Sequence, residues 1–180
     1  MTCIVGLERN GKVYIGGDSA GVAGLSITVR ADEKVFKNGP MIFGFTSSFR
    51  MGQILRFQLS IPAQEADKSD YEYMCTNFID AVMICMESHG FLKNDKGEKS
   101  GGTFLVGYKG RLYSVHSDFQ VGRSIERYDS VGCGSDLALG AVHALIEKRG
   151  LKPEFIVEQG LLAAEKFSGG VARPFIIDSI

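Results

Sequence analysis

Three two-residue turn signals limit what this chain can fold into. Asn10-Gly11, Asn38-Gly39 and Lys109-Gly110 each separate two apolar runs. Asn-Gly is the strongest of these, because a type I′ hairpin needs positive φ at both central residues. The strands therefore come as antiparallel pairs: 3–8 with 12–17, 34–36 with 41–45, and 103–108 with 111–116. A further short strand is expected at 25–29, and a closing strand at 173–178. The 23 glycines, well above ordinary usage, fit a chain with many tight turns and close backbone approaches.

Between the hairpins the apolar period changes from 2 to 3.6. Residues 51–59 read as an amphipathic helix ending before Pro62. Tyr71, Met74, Cys75, Phe78, Val82, Cys85 and Met86 share one helical face, so 70–88 is expected as one long helix with Gly90 after its end. Residues 94–102 read as a polar loop. Ser135 is expected to cap a helix running to about 149, with Lys148 and Arg149 in its last turn and Gly150 beyond. Pro153 suits the first turn of a final helix reaching about 167. The order is strands, two helices, strands, two helices, strand. It predicts an α+β protein: a four-layer αββα sandwich of two antiparallel sheets flanked by helix pairs, in one domain over 1–180.

Composition excludes several functions. Net charge is −1 with both signs interspersed, so no basic stripe is expected to follow a nucleic-acid backbone. No charged region leads into an apolar run at the start, and 78–86 is too short and too polar to span a bilayer, so a cytoplasmic protein without membrane contact is expected. Cys3, Cys75, Cys85 and Cys133 form no C-x-x-C pair and are expected as free thiols. His89, His116 and His143 lack metal-ligand spacing, so neither metal nor cofactor is expected.

The chemistry is sharpest at Thr2. Initiator methionine is ordinarily trimmed before a small residue, which would place a hydroxyl and a free α-amine on one residue. The hydroxyl needs a base, and an α-amine with a reference pKa of about 7.7–8.0 can serve near neutral pH. Asp18 follows Gly16-Gly17 at the end of an apolar strand, an unusual place for a carboxylate without a task. The alternative for Asp18 and Lys34 is an ordinary inter-strand ion pair.

Thr2-x-Ile4-Val5-Gly6, Gly16-Gly17-Asp18, Lys34-Val35 and Phe43-Gly44-Phe45 together resemble the N-terminal-nucleophile hydrolases, and among them the proteasome β-subunits and the HslV peptidase. The acid stands sixteen residues after the threonine and the lysine sixteen beyond the acid. The resemblance spans nearly the whole chain. It implies Thr2 as nucleophile, Lys34 beside its hydroxyl, Asp18 paired with Lys34, and the Gly44 N–H as oxyanion donor. It implies amine support from Cys133, in Gly132-Cys133-Gly134 where the family has serine, and from Glu165, where the family has aspartate, with Ser168. Thr46-Ser47-Ser48 replaces a glycine- and alanine-rich stretch. Because Asp18 favours charged Lys34, proton abstraction falls to the α-amine, with Lys34 as electrostatic helper.

The implied activity is threonine-type hydrolysis of peptide or unfolded-protein substrates through an acyl-enzyme, in a homo-oligomeric ring with an AAA+ unfoldase as possible partner. Two other readings keep the fold: a small-molecule amidohydrolase, and a catalytically silent ring or scaffold subunit. Gly17-Asp18-Ser19-Ala20-Gly21 also resembles serine-hydrolase motifs. No histidine precedes Ser19, and no Asp-x-x-His pair stands near residue 180, so Ser19 is a minor alternative nucleophile.

Overall fold

The computed structural model describes residues 1–95 and 97–180. Two antiparallel sheets stack face to face. The first has the order β12-β1-β2-β13, built from β1 (Cys3–Arg9), β2 (Lys12–Gly17), β12 (Tyr128–Gly132) and β13 (Ile176–Ser179). The second has the order β11-β10-β9-β6-β5, built from β5 (Val35–Asn38), β6 (Met41–Phe45), β9 (Phe104–Tyr108), β10 (Arg111–Val115) and β11 (Val121–Gly122). Helices α4 (Ser135–Ile146) and α5 (Pro153–Phe167) cover the first sheet. Helices α1 (Phe49–Phe57), α2 (Asp70–Tyr73) and α3 (Ile79–Ser88) cover the second. The architecture is the αββα sandwich expected.

Three apolar clusters correspond to the three interfaces between four layers. Along β1 the side chains alternate between two of them. Cys3, Val5 and Leu7 pack with Val142, Val157 and Leu161 under the helices. Ile4 packs with Ile15, Val35, Ile42 and Leu105 between the sheets. The third cluster joins Phe43, Phe78 and Phe104 beneath α1 and α3. The sheets approach closely because glycines sit where they face each other. A Cβ on Gly44 would fall 2.5 Å from Ile4 Cγ2 and 2.6 Å from Ile15 Cγ2.

Two hairpins turn as expected. Asn10-Gly11 (φ +54° and +74°) and Lys109-Gly110 (φ +47° and +72°) both have the positive pair that a type I′ turn requires. The middle hairpin is displaced by one residue. Asn38 pairs with Met41 across the ladder, so the turn is Gly39-Pro40 with Gly39 at φ +54°. Pro40 brings a fixed negative φ to the second turn position, which suits a type II′ turn and pulls Asn38 into the strand.

Elsewhere the structure departs in instructive ways. The long helix is interrupted by a π-helical segment, Met74–Phe78, between α2 and α3. Helix α1 starts two residues before the expected 51, because Ser48 caps it, its side chain accepting from Arg50 N and Met51 N. Ser135 is the first residue of α4, not its cap, and that helix ends at Ile146. The polar stretch expected as a loop holds a small hairpin, β7 (Lys93–Asp95) with β8 (Glu98–Ser100); Lys96 within it lies outside the described residues. The segment 20–29 forms a separate ribbon, β3 (Ala20–Ala23) with β4 (Ser26–Val29). Strand β12 was not expected, because Asp129 and Ser130 break its apolar pattern. It is held by pairing with β1, where Cys3 lies opposite Gly132.

Candidate active site

Antiparallel pairing brings one end of every central strand together. Thr2 precedes β1 and Asp18 follows β2, and these ends are neighbours because Ile4 pairs with Gly17. Lys34 precedes β5 and Thr46 follows β6, neighbours because Val35 pairs with Gly44. Cys133 follows β12. The turns Asn10-Gly11, Gly39-Pro40 and Lys109-Gly110 lie at the other end of their strands.

Thr2, Asp18 and Lys34 form one buried cluster, each 3% exposed or less. Lys34 Nζ donates to Thr2 Oγ1 at 2.9 Å, to Asp18 Oδ1 at 2.9 Å and to the Ala20 carbonyl at 2.6 Å. Three acceptors match the three N–H bonds of an ammonium, which leaves no lone pair for taking a proton. Asp18 is held from all sides. Its Oδ1 also accepts Cys3 N at 2.9 Å, and its Oδ2 accepts Ala20 N at 2.8 Å and Ala172 N at 3.4 Å. Burial pulls the Lys34 pKa below the ordinary lysine value, and the Asp18 carboxylate opposes that pull.

The nitrogen of Thr2 faces Cys133. Thr2 N donates to Cys133 Sγ at 3.3 Å, and that thiol lies 3.4 Å from Ser168 Oγ at the end of α5. In this structure the nitrogen is an amide, and Thr2 Oγ1 donates to the Met1 carbonyl. Cys133 is exposed, whereas Cys3 points away under the helices, its thiol pushed up to about 12 by burial.

Two expected residues are placed elsewhere. Glu165 does not join Thr2, Cys133 or Ser168. It grips Arg173 instead, with contacts of 2.6 Å to Nη2 and 2.8 Å to the backbone N, and the Arg173 guanidinium holds its pKa below the usual value. Arg173, eight residues further along the chain, takes both carboxylate oxygens. Gly44 also changes role. Phe45 N donates to the Lys34 carbonyl and Thr46 N to the Thr103 carbonyl. Alternation then sends the Gly44 N–H across to Leu105, its partner in β9, so it cannot serve an oxyanion.

A cavity of about 530 Å³ opens beside Thr2 and Lys34, and Gly44 is not on its wall. One wall is the β3–β4 ribbon with Val22 and Val29; the other is the Thr46-Ser47-Ser48 turn, with Phe49 and Arg30 at the rim. Ser47 sits at φ +71°, rare for a residue with a side chain, and its N–H has no hydrogen-bond partner among the described residues. Sequence reasoning missed it as a donor. Its signal was the Ser-Ser pair before an amphipathic helix, which marks a turn into an N-cap. Ser19 is no nucleophile in this arrangement, because its hydroxyl donates to the Pro174 carbonyl at 2.7 Å. No helix among the described residues is long and apolar enough to cross a membrane, and no metal-binding cluster occurs among them.

No protein-family model matches this sequence, and no curated protein does. Solved structures do match in fold. BPH from Thiobacillus denitrificans in complex with epoxomicin superposes with a TM-score of 0.83 at 20% identity, covering 99% of this chain and 98% of that one. A second structure of Thiobacillus denitrificans BPH gives 0.82 at 21%, covering 99% and 97%. Eukaryotic HslV from Trypanosoma brucei gives 0.70 at 17%, covering 99% and 98%.

Proposed function

Because this chain has the HslV-type fold from end to end and holds Thr2 against Lys34, we propose that it is a threonine peptidase of the N-terminal-nucleophile type. The observation that carries the reading is the 2.9 Å contact between Lys34 Nζ and Thr2 Oγ1, buried and backed by Asp18.

Cleavage of the Met1–Thr2 bond frees the α-amine in place, beside Cys133 Sγ. That amine takes the hydroxyl proton, directly or through a water, while the Lys34 ammonium stabilises the emerging alkoxide. The alkoxide adds to a peptide carbonyl lying between the β3–β4 ribbon and the Thr46–Ser48 turn. The free Ser47 N–H is the donor nearest to hand for the tetrahedral oxyanion; fixed backbone donors of this kind contribute roughly 2.7–4 kcal/mol in other acyl-transfer enzymes. The intermediate collapses as the amine returns its proton to the leaving nitrogen. Water then cleaves the Thr2 ester by the same steps. Asp18 keeps Lys34 charged, and Cys133 with Ser168 orients the amine. We further propose a homo-oligomeric ring in the cytoplasm, fed with unfolded protein by an AAA+ partner.

Intact-mass spectrometry of the native protein with an epoxyketone probe tests the chemistry. Loss of Met1 and one adduct on Thr2 are expected, with peptide hydrolysis abolished in Thr2→Ala. Full activity in Thr2→Ala refutes the proposal. A monomer that cleaves only small amides in size-exclusion fractions refutes the ring.

A further inference from the structure

The end of the sandwich opposite Thr2 carries a second concentration of charge. The Asn10-Gly11 turn of one sheet meets the Lys109-Gly110 turn of the other so closely that a Cβ on Gly110 would fall 2.5 Å from the Gly11 carbonyl oxygen. With Arg127 just ahead of β12, the two turns line a cavity of about 350 Å³ whose charged side chains are Glu8, Arg9, Lys109, Arg111 and Arg127.

The lone carboxylate in this wall is already engaged. Glu8 accepts Leu112 N at 2.8 Å, with Arg111 at 3.4 Å and Arg123 at 3.5 Å. Lys109 reaches outward to Asp70 at 3.1 Å and Gln64 at 2.6 Å. Two guanidinium groups are left over. Neither Arg9 nor Arg127 has an acidic partner among the described residues. Arg9 Nη1 is moreover buried without any hydrogen-bond partner, which native proteins rarely tolerate.

We propose that this cavity binds a dianionic phosphate group, held by Arg9 and Arg127 with Arg111 at its edge. Two unpaired guanidinium groups balance two negative charges. Their planar forks match tetrahedral oxyanions with paired N–H···O bonds, which a lysine cannot do. The phosphate is either free orthophosphate or the terminal phosphate of a nucleoside monophosphate. The site is separate from Thr2 and stands whether or not the chain is a peptidase.

Titration calorimetry of the full chain, at ionic strength held constant with chloride, tests this. Saturable binding of orthophosphate is expected in wild type, weakened at least tenfold in Arg9→Gln and in Arg127→Gln. Arg127 is exposed, so its variant decides the matter if Arg9→Gln fails to fold. Adenosine monophosphate binding tighter than orthophosphate identifies a nucleotide site; equal or weaker binding identifies free phosphate. Heats in wild type no different from Arg127→Gln overturn the proposal.

Discussion

Replacing Asp18 with asparagine tests the buried pair most directly. The change removes one charge and converts one oxygen to an amide nitrogen. Asparagine can keep its oxygen where Oδ1 accepts Cys3 N and Lys34 Nζ, but its NH₂ then confronts Ala20 N–H and Ala172 N–H, formerly bonded at 2.8 Å and 3.4 Å. The minimum loss is one hydrogen bond to a charged acceptor, about 1.5–3 kcal/mol. Lys34, 2% exposed, also loses its counter-ion. Breaking a buried pair from one side costs about 3–5 kcal/mol, which includes that hydrogen bond. For a chain of this length that is a fall of roughly 6–20 °C in melting temperature.

The pH dependence has a definite sign. Burial already holds the Lys34 pKa below its ordinary value, and Asp18 is what opposes the fall. Without Asp18 it falls further, and the lysine can relieve its burial by losing a proton. A base with a depressed folded-state pKa gains stability as pH rises from that value to the unfolded one, because the unfolded chain binds the extra proton there. The deficit of Asp18→Asn should therefore shrink as pH is raised from neutrality toward the ordinary lysine pKa. The alkaline limb of kcat should move to lower pH, and kcat at neutral pH should fall by about 10² or more. Urea denaturation and peptide hydrolysis at matched pH values measure both. A loss below about 1 kcal/mol at pH 7, less than the single hydrogen bond, would refute the argument.

Gly44→Ala should cost about 1–3 kcal/mol in urea denaturation by overpacking Ile4 and Ile15, with kcat of the folded fraction retained. Normal stability with a collapsed kcat would return the oxyanion role to Gly44. Iodoacetamide should label exposed Cys133 and spare Cys3, whose thiol is pushed up to about 12, and labelling should block peptide hydrolysis by crowding the Thr2 nitrogen. Cys133→Ser should keep hydrolysis and lose that sensitivity, as activity assays with and without reagent would report. Glu165→Gln should leave hydrolysis near the wild-type rate, because its partner is Arg173; a large loss in kcat would place Glu165 back in the amine shell.

The sequence alone determined the layers and two of the hairpin turns, Asn10-Gly11 and Lys109-Gly110. Positive-φ turns and the change from period 2 to period 3.6 are local signals, and they place 12–17, 41–45 and 153–167 where the structure has them. The grouping of Thr2, Asp18 and Lys34 was legible only through the family resemblance of their spacing; the structure supplies the physical reason, since each sits at the mouth of a strand whose register is fixed by a neighbour. Tertiary structure alone decided the rest. Strand β12 forms because β1 offers it an edge, not because its own residues favour extension. Gly44 lost its N–H to Leu105, and Glu165 was captured by Arg173, through contacts set by chain folding rather than by sequence spacing. The direction of a backbone N–H and the partner of a carboxylate depend on which strands and side chains come to lie beside them, and a linear pattern does not hold that information.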